Sequence, residues 1–284
     1  MAMSDPTTPL PADPLADFSP QSFTAEGITH TVQMSGTGPA VLVLPEMPGI
    51  SPEVARFARW VRDAGFTVWL PSLFGSDGAV PSAAEAVAVF RRACASAEFR
   101  VLAAGGSSPV TAWLRALARH AHARCGGPGV GAVGMCFTGN FALSMMLEPV
   151  LLAPVLAQPS LPLDEPAAIA MDATELHRVA TRMRREQLCA LGLRFEGDRF
   201  CTAARFEAYR AALGPQFCAR VLPAATGRRH GLSPFFAEIV NTPHSVLTAH
   251  LIDAEGEPTR AACAEVIAFL RARLSGKDAV DLRP

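Results

Sequence analysis

The feature that most narrows the fold is a short uncharged passage near the middle of the chain. Val130-Gly131-Ala132-Val133 is a run of small and β-branched residues, and it leads into Gly134-Met135-Cys136-Phe137-Thr138-Gly139. An apolar stretch with helical spacing follows. A strand that turns sharply into a helix through G-x-C-x-G holds its central residue in a strained backbone conformation. A glycine on each side spares the turn a Cβ clash. The thiol of Cys136 is then expected at the top of a sheet, with a helix N-terminus aimed at it that favours negative charge. The same letters also describe a buried cysteine between two ordinary glycines. The strand before and the helix after are what point to a nucleophile.

The rest of the chain repeats the strand-helix alternation. Strands are expected at Ile28 to Met34, Ala40 to Leu44, Phe66 to Leu70, Pro154 to Gln158, Leu188 to Phe195 and Phe217 to Leu222. Ala40 to Leu44 is apolar at every position, as in a parallel strand buried on both faces. Ser51-Pro52 supplies an N-cap and a first-turn proline to a helix whose apolar face is Val54, Phe57, Ala58 and Val61. Further helices are expected at Ser82 to Ala95, Pro109 to Arg124, Asp172 to Arg185, Thr202 to Leu213 and Pro258 to Leu274. This pattern predicts a doubly wound, mostly parallel sheet with helices on both faces. A chain of 284 residues is long enough for one large α/β domain. We expect it over 23–276, with a flexible tail at 1–22 and a second tail at 277–284.

Several function classes are disfavoured. The net charge of −1 comes with no basic stripe, so nucleic acid is not expected as a partner. The N-terminal segment lacks the basic and apolar regions of a signal peptide. Residues 129–147 are uncharged over a membrane-spanning length, yet four glycines and the prolines beyond it favour a strand, turn and core helix. The seven cysteines show no paired spacing and no C-x-x-C, which argues against a disulfide framework and a zinc ribbon. Cys94, Cys125, Cys189, Cys201, Cys218 and Cys263 read as small buried or semi-buried hydrophobes in a reducing cytoplasm. No cofactor or metal is called for, and the chain is expected as a monomer or homodimer.

Ligands in such sheets bind beyond the carboxyl ends of the strands. Three of those ends carry chemistry: Glu46 after Ala40 to Leu44, Cys136 after Val130 to Val133, and Asp198 after Leu188 to Phe195. His244 comes later, between the last strand and the last helix. The order nucleophile, acid, histidine is that of the α/β-hydrolases, in which the histidine holds and returns a proton and the acid fixes its tautomer. Asp198 could instead cap the next helix, Glu46 could be a solvated loop carboxylate, and His230 and His250 compete with His244 for the role of base. His30, His120, His122 and His177 have no partner in the pattern.

Four segments resemble the dienelactone hydrolase family of cysteine-dependent α/β-hydrolases: Leu44 to Gly49, Gly134 to Gly139, Phe195-Glu196-Gly197-Asp198 and Pro243-His244-Ser245. The resemblance implies an α/β-hydrolase fold with Cys136 as nucleophile and Asp198 and His244 as its partners. It also implies Glu46 as a gate on the resting thiol, and Met47 and Phe137 as backbone N–H donors to an oxyanion. Two positions depart from the family pattern. Asn140 follows Gly139 where a second glycine is common. Thr248 stands four residues after His244, where the well-known members carry an arginine for a substrate carboxylate. The implied activity is hydrolysis of a small ester, lactone or thioester, with a substrate other than a dicarboxylic dienelactone. Two alternatives stay open: a glutamine amidotransferase-like cysteine hydrolase, disfavoured by the lack of a His-x-Glu pair, and a non-catalytic hydrolase-fold protein that binds a ligand or senses redox state. The long segment from Pro223 to Pro243 is expected near the pocket.

Overall fold

The computed structural model describes residues 8–99 and 108–275. Eight strands form one sheet: β1 (Ser19–Ala25), β2 (Ile28–Ser35), β3 (Ala40–Leu44), β4 (Thr67–Pro71), β5 (Val130–Met135), β6 (Leu151–Ala157), β7 (Ala190–Phe195) and β8 (Phe217–Leu222). Their spatial order is β1-β2-β4-β3-β5-β6-β7-β8. β3 through β8 run parallel, while β2 pairs antiparallel with both β1 and β4. The order reverses at β3 and β5, which are neighbours in register from Val41↔Gly131 to Leu44↔Gly134. A crevice opens beyond their carboxyl ends, the expected place for a ligand.

The helices are α1 (Pro52–Asp63), α2 (Ala83–Ala95), α3 (Pro109–Cys125), the single turn α4 (Phe141–Ser144), α5 (Ala173–Arg185), α6 (Ala203–Leu213) and α7 (Pro258–Leu274). Side chains alternate across a strand, and β3 shows the result. Val41 and Val43 pack with Val54, Phe57 and Val61 of α1 and Val266 and Leu270 of α7. Ala40, Leu42 and Leu44 face the other layer, with Trp113 and Leu117 of α3, Met183 of α5 and Tyr209 of α6. Every residue of β3 is buried, which is why its sequence is a continuous apolar run. Helix starts follow the cap residues: Ser51 Oγ accepts from Val54 N–H, Ser82 Oγ from Glu85 N–H and Asp172 Oδ1 from Thr174 N–H. Each such cap contributes about 1 kcal/mol.

The expected tail at 1–22 requires correction. Residues 1–7, 276 and the expected C-terminal tail at 277–284 lie outside the described residues, but 8–22 pack on the domain. β1 begins at Ser19 and pairs with β2 from Ser19↔Met34 to Ala25↔Ile28. The hairpin closes on Glu26 and Gly27, both at positive φ, as a two-residue primed turn needs. Leu15 and Phe18 are buried. Asp13 and Asp17 both accept from the Arg59 guanidinium, which holds both carboxyls below their ordinary range. The polar text of this segment belongs to an edge strand with an exposed face. Cys94 also departs from expectation, since it is exposed.

Candidate active site

The turn after β5 is built as the glycine spacing predicts. Cys136 sits at φ 53°, in the left-handed region that non-glycine residues occupy at a cost. A Cβ on Gly134 would come within 2.3 Å of Thr138 O, and one on Gly139 within 2.6 Å of Pro159 Cα. Thr138 Oγ1 accepts from Met135 N–H at 2.9 Å and lies 3.1 Å from Leu44 O, which ties the turn to the Glu46 loop. The helix that follows is shorter than expected. Cys136–Thr138 is a 3₁₀ turn, α4 has four residues, and Met145–Leu147 is again 3₁₀ before Pro149. The dipole argument for the thiol is correspondingly weak. Asn140, in place of a second glycine, is buried. Its side chain donates to Ala170 O at 2.6 Å and accepts from Tyr209 O–H at 2.8 Å.

Asp198 and His244 meet. Asp198 Oδ2 lies 2.7 Å from His244 Nδ1, and its Oδ1 accepts from the N–H groups of Phe200 (2.9 Å) and Cys201 (3.1 Å). The cap of α6 is Thr202, so Asp198 is not spent on that role. Burial pushes the Asp198 carboxyl up, but His244 and the two N–H groups outweigh it and hold it below its ordinary range. Burial likewise disfavours a charged His244, yet the Asp198 carboxylate and the Cys136 sulfur beside it raise it well above the usual imidazole range.

Ser160 completes the cluster, and sequence reasoning missed it. Its hydroxyl lies 3.5 Å from Cys136 Sγ and 3.4 Å from His244 Nε2. It follows Pro159 just past the end of β6, and that strand end was the available signal. The competing histidines separate cleanly. His230 is exposed. His250 is buried, and its Nδ1 accepts from the Ser245 N–H at 3.1 Å. Burial lowers its pKa to about 3, so it is a neutral acceptor that shapes the His244 loop.

Glu46 is buried beside the same cluster. Ser245 donates to its Oε2 at 2.5 Å, and Thr248 donates to its Oε1. The carboxylate is thus held by two hydroxyls, where a contact to the thiol was expected. Burial raises its pKa, against the two hydroxyls and the nearby His244.

Cys136, His244, Glu46, Met47, Phe137 and Ser160 line one cavity of about 270 Å³. Its outer wall comes from α2 (Val87, Phe90), Phe200, and a π-helical turn at Phe235–Val240 inside the long segment before His244. A larger cavity, about 370 Å³, lies against the other side of α2 and is lined by neither histidine nor cysteine. Among the described residues no group of three or more His, Cys, Asp or Glu could hold a metal ion. No described helix is long and apolar enough to cross a membrane.

Residues 26–180, more than half of the chain, match the dienelactone hydrolase family. No curated protein matches by sequence. Similar solved structures include a dienelactone hydrolase-like promiscuous phosphotriesterase from metagenomic libraries, with 19% identity, TM-score 0.56, and coverage of 89% of this chain and 96% of that one. A dienelactone hydrolase from Anabaena variabilis aligns at 14% identity and TM-score 0.55, covering 90% and 99%. The thioesterase domain from the curacin biosynthetic pathway aligns at 9% identity and TM-score 0.53, covering 88% and 99%. At these identities the likeness is one of fold.

Proposed function

The chain belongs to the dienelactone hydrolase family and is an ester-bond hydrolase, and from that premise we propose that it works through a Cys136-His244-Asp198 triad on small esters, lactones or thioesters. The observation that carries this reading is the single chain of contacts from Asp198 Oδ2 to His244 Nδ1, and from His244 Nε2 past the Ser160 hydroxyl to Cys136 Sγ.

The steps follow from those positions. His244 Nε2 holds the proton given up by the thiol, and Cys136 Sγ attacks the acyl carbon as the thiolate. The oxyanion develops beside the backbone N–H groups of Met47 and Phe137, which stabilise it more than the ground-state carbonyl. Collapse breaks the bond to the leaving oxygen or sulfur, which receives the proton from Nε2. A water then gives its proton to Nε2 and attacks the thioester. The acid leaves, and Sγ regains the proton. Asp198 stays ionised throughout and stabilises the imidazolium. Glu46, held by Ser245 and Thr248, adds negative charge near the imidazole. Seven cysteines with no disulfide among the described residues fit a reducing compartment such as the cytoplasm.

The test is hydrolysis of short p-nitrophenyl esters with and without iodoacetamide. Cys136→Ala is expected to lose several orders of magnitude in kcat, whereas Cys201→Ala and Cys263→Ala keep most activity. Comparable turnover by Cys136→Ala overturns the nucleophile.

A further inference from the structure

Among the described residues, the cavity beside Cys136 offers a substrate carboxylate no cation other than a protonated His244. Its ionisable wall groups among those residues are Glu46, Cys136 and His244. Thr248 is fully buried, with its hydroxyl turned to Glu46. Arginines of β7 and of the surrounding loops are engaged with backbone carbonyls. Arg194 donates to Phe195 O at 2.9 Å, Arg199 to Val240 O at 3.1 Å, and Arg228 to His230 O at 2.8 Å.

Apart from Ser160, the remaining described wall is apolar, built largely of Phe90, Phe137, Phe200, Phe235 and Phe236. The apolar character continues to the surface. Among the described residues three large hydrophobics are exposed: Leu163, Val221 and Ile239. Two of them, Leu163 and Ile239, line this cavity.

We propose that the enzyme takes uncharged esters or thioesters whose apolar portion fills this phenyl-walled cavity, and that it discriminates against substrates ending in a carboxylate there. The proposal rests on the Cys136 reading above. A cavity of about 270 Å³ holds on the order of nine heavy atoms, if each takes up about as much volume as a water in the liquid. A carboxylate against these rings loses its hydration without a partner, which is costly. Glu46 and Asp198 add like charge. An apolar group meets a wall of matching character.

The experiment compares p-nitrophenyl hexanoate with mono-p-nitrophenyl adipate, which has the same chain ending in a carboxylate. The neutral ester is expected to lead in kcat/KM by about a hundredfold, and Ile239→Lys, a cation added at the exposed rim, is expected to narrow that gap. Equal rates, or a preference for the adipate that fades with added salt, overturn the proposal. A second measurement separates it from the nucleophile assignment: calorimetric binding of hexananilide and adipic monoanilide to Cys136→Ala. Tighter binding of the neutral anilide supports the proposal even if neither ester turns over, an outcome that would sink only the Cys136 reading. Equal binding, or binding of neither, overturns it.

Discussion

The Ser160 hydroxyl stands 3.5 Å from Cys136 Sγ. The same oxygen is 3.4 Å from His244 Nε2 and 3.0 Å from Gln158 O. One small side chain therefore touches both partners of the proposed proton transfer.

Ser160→Ala is expected to lower kcat by about tenfold, the equivalent of one ordinary hydrogen bond, and to leave the melting temperature nearly unchanged. The rate of Cys136 alkylation should change with it. A variant with wild-type kcat and alkylation would make Ser160 a bystander.

Asp198→Asn tests the charge on the histidine. Asp198 and the Cys136 sulfur overcome burial and hold His244 protonated well above its ordinary range. The imidazolium is present below that raised pKa and is lost as pH rises through it, so leaving-group protonation sets an alkaline limb on kcat. Without the carboxylate that limb should move to lower pH, and kcat at neutral pH should fall by about 10³–10⁴. An unmoved limb in the variant's pH profile would assign it to another group.

Glu46→Gln is expected to stabilise the fold at neutral pH. Burial raises the Glu46 pKa in the folded protein. Its contribution is therefore fully present below the unfolded carboxyl value, about 4.3, and is lost as pH rises towards the folded one. Gln pays no such charge cost. Thermal melts should show the variant ahead at pH 7, by about 2–4 °C for each kcal/mol, and level with wild type near pH 3. A constant difference across that range would mean that the charge does not matter.

Asn140→Gly restores the more common family spelling and should destabilise this chain. It strands the Tyr209 hydroxyl, which is buried and donates to Asn140 Oδ1 at 2.8 Å. The cost is about 1–3 kcal/mol. Adding Tyr209→Phe removes the stranded group, so the double variant should lose less than the sum of the two single losses. Strict additivity in denaturant melts would show the pair uncoupled.

What could be read from the sequence follows from how local each signal is. The turn at Cys136 is spelled by adjacent letters, and burial on both faces leaves β3 an unbroken apolar run. Asp198 and Glu46 stand directly after strands, so the topology alone brings them to one end. The base was harder. His230, His244 and His250 all follow β8, and which one reaches Asp198 depends on how loops fold over 46 residues of separation. β1 escaped notice because an edge strand needs only one apolar face, and here that face includes Phe23, packed against Trp113 at 5.5 Å. Arg205 reads as an ordinary charged helix residue, yet it is fully buried.

Arg205 also sets how the site region opens. Its guanidinium donates to the carbonyls of Pro159, Pro162, Glu165, Ala168 and Phe200, which uses all five of its N–H donors. Lysine, with three donors, has no equivalent. Pro159 precedes Ser160, and Phe200 lies two residues past Asp198, so the two loops share one anchor. They cannot fray separately. Amide exchange across 160–168 and 199–201 should report a single cooperative event, one that exposes the buried cation, the serine and the acid's backbone donors together.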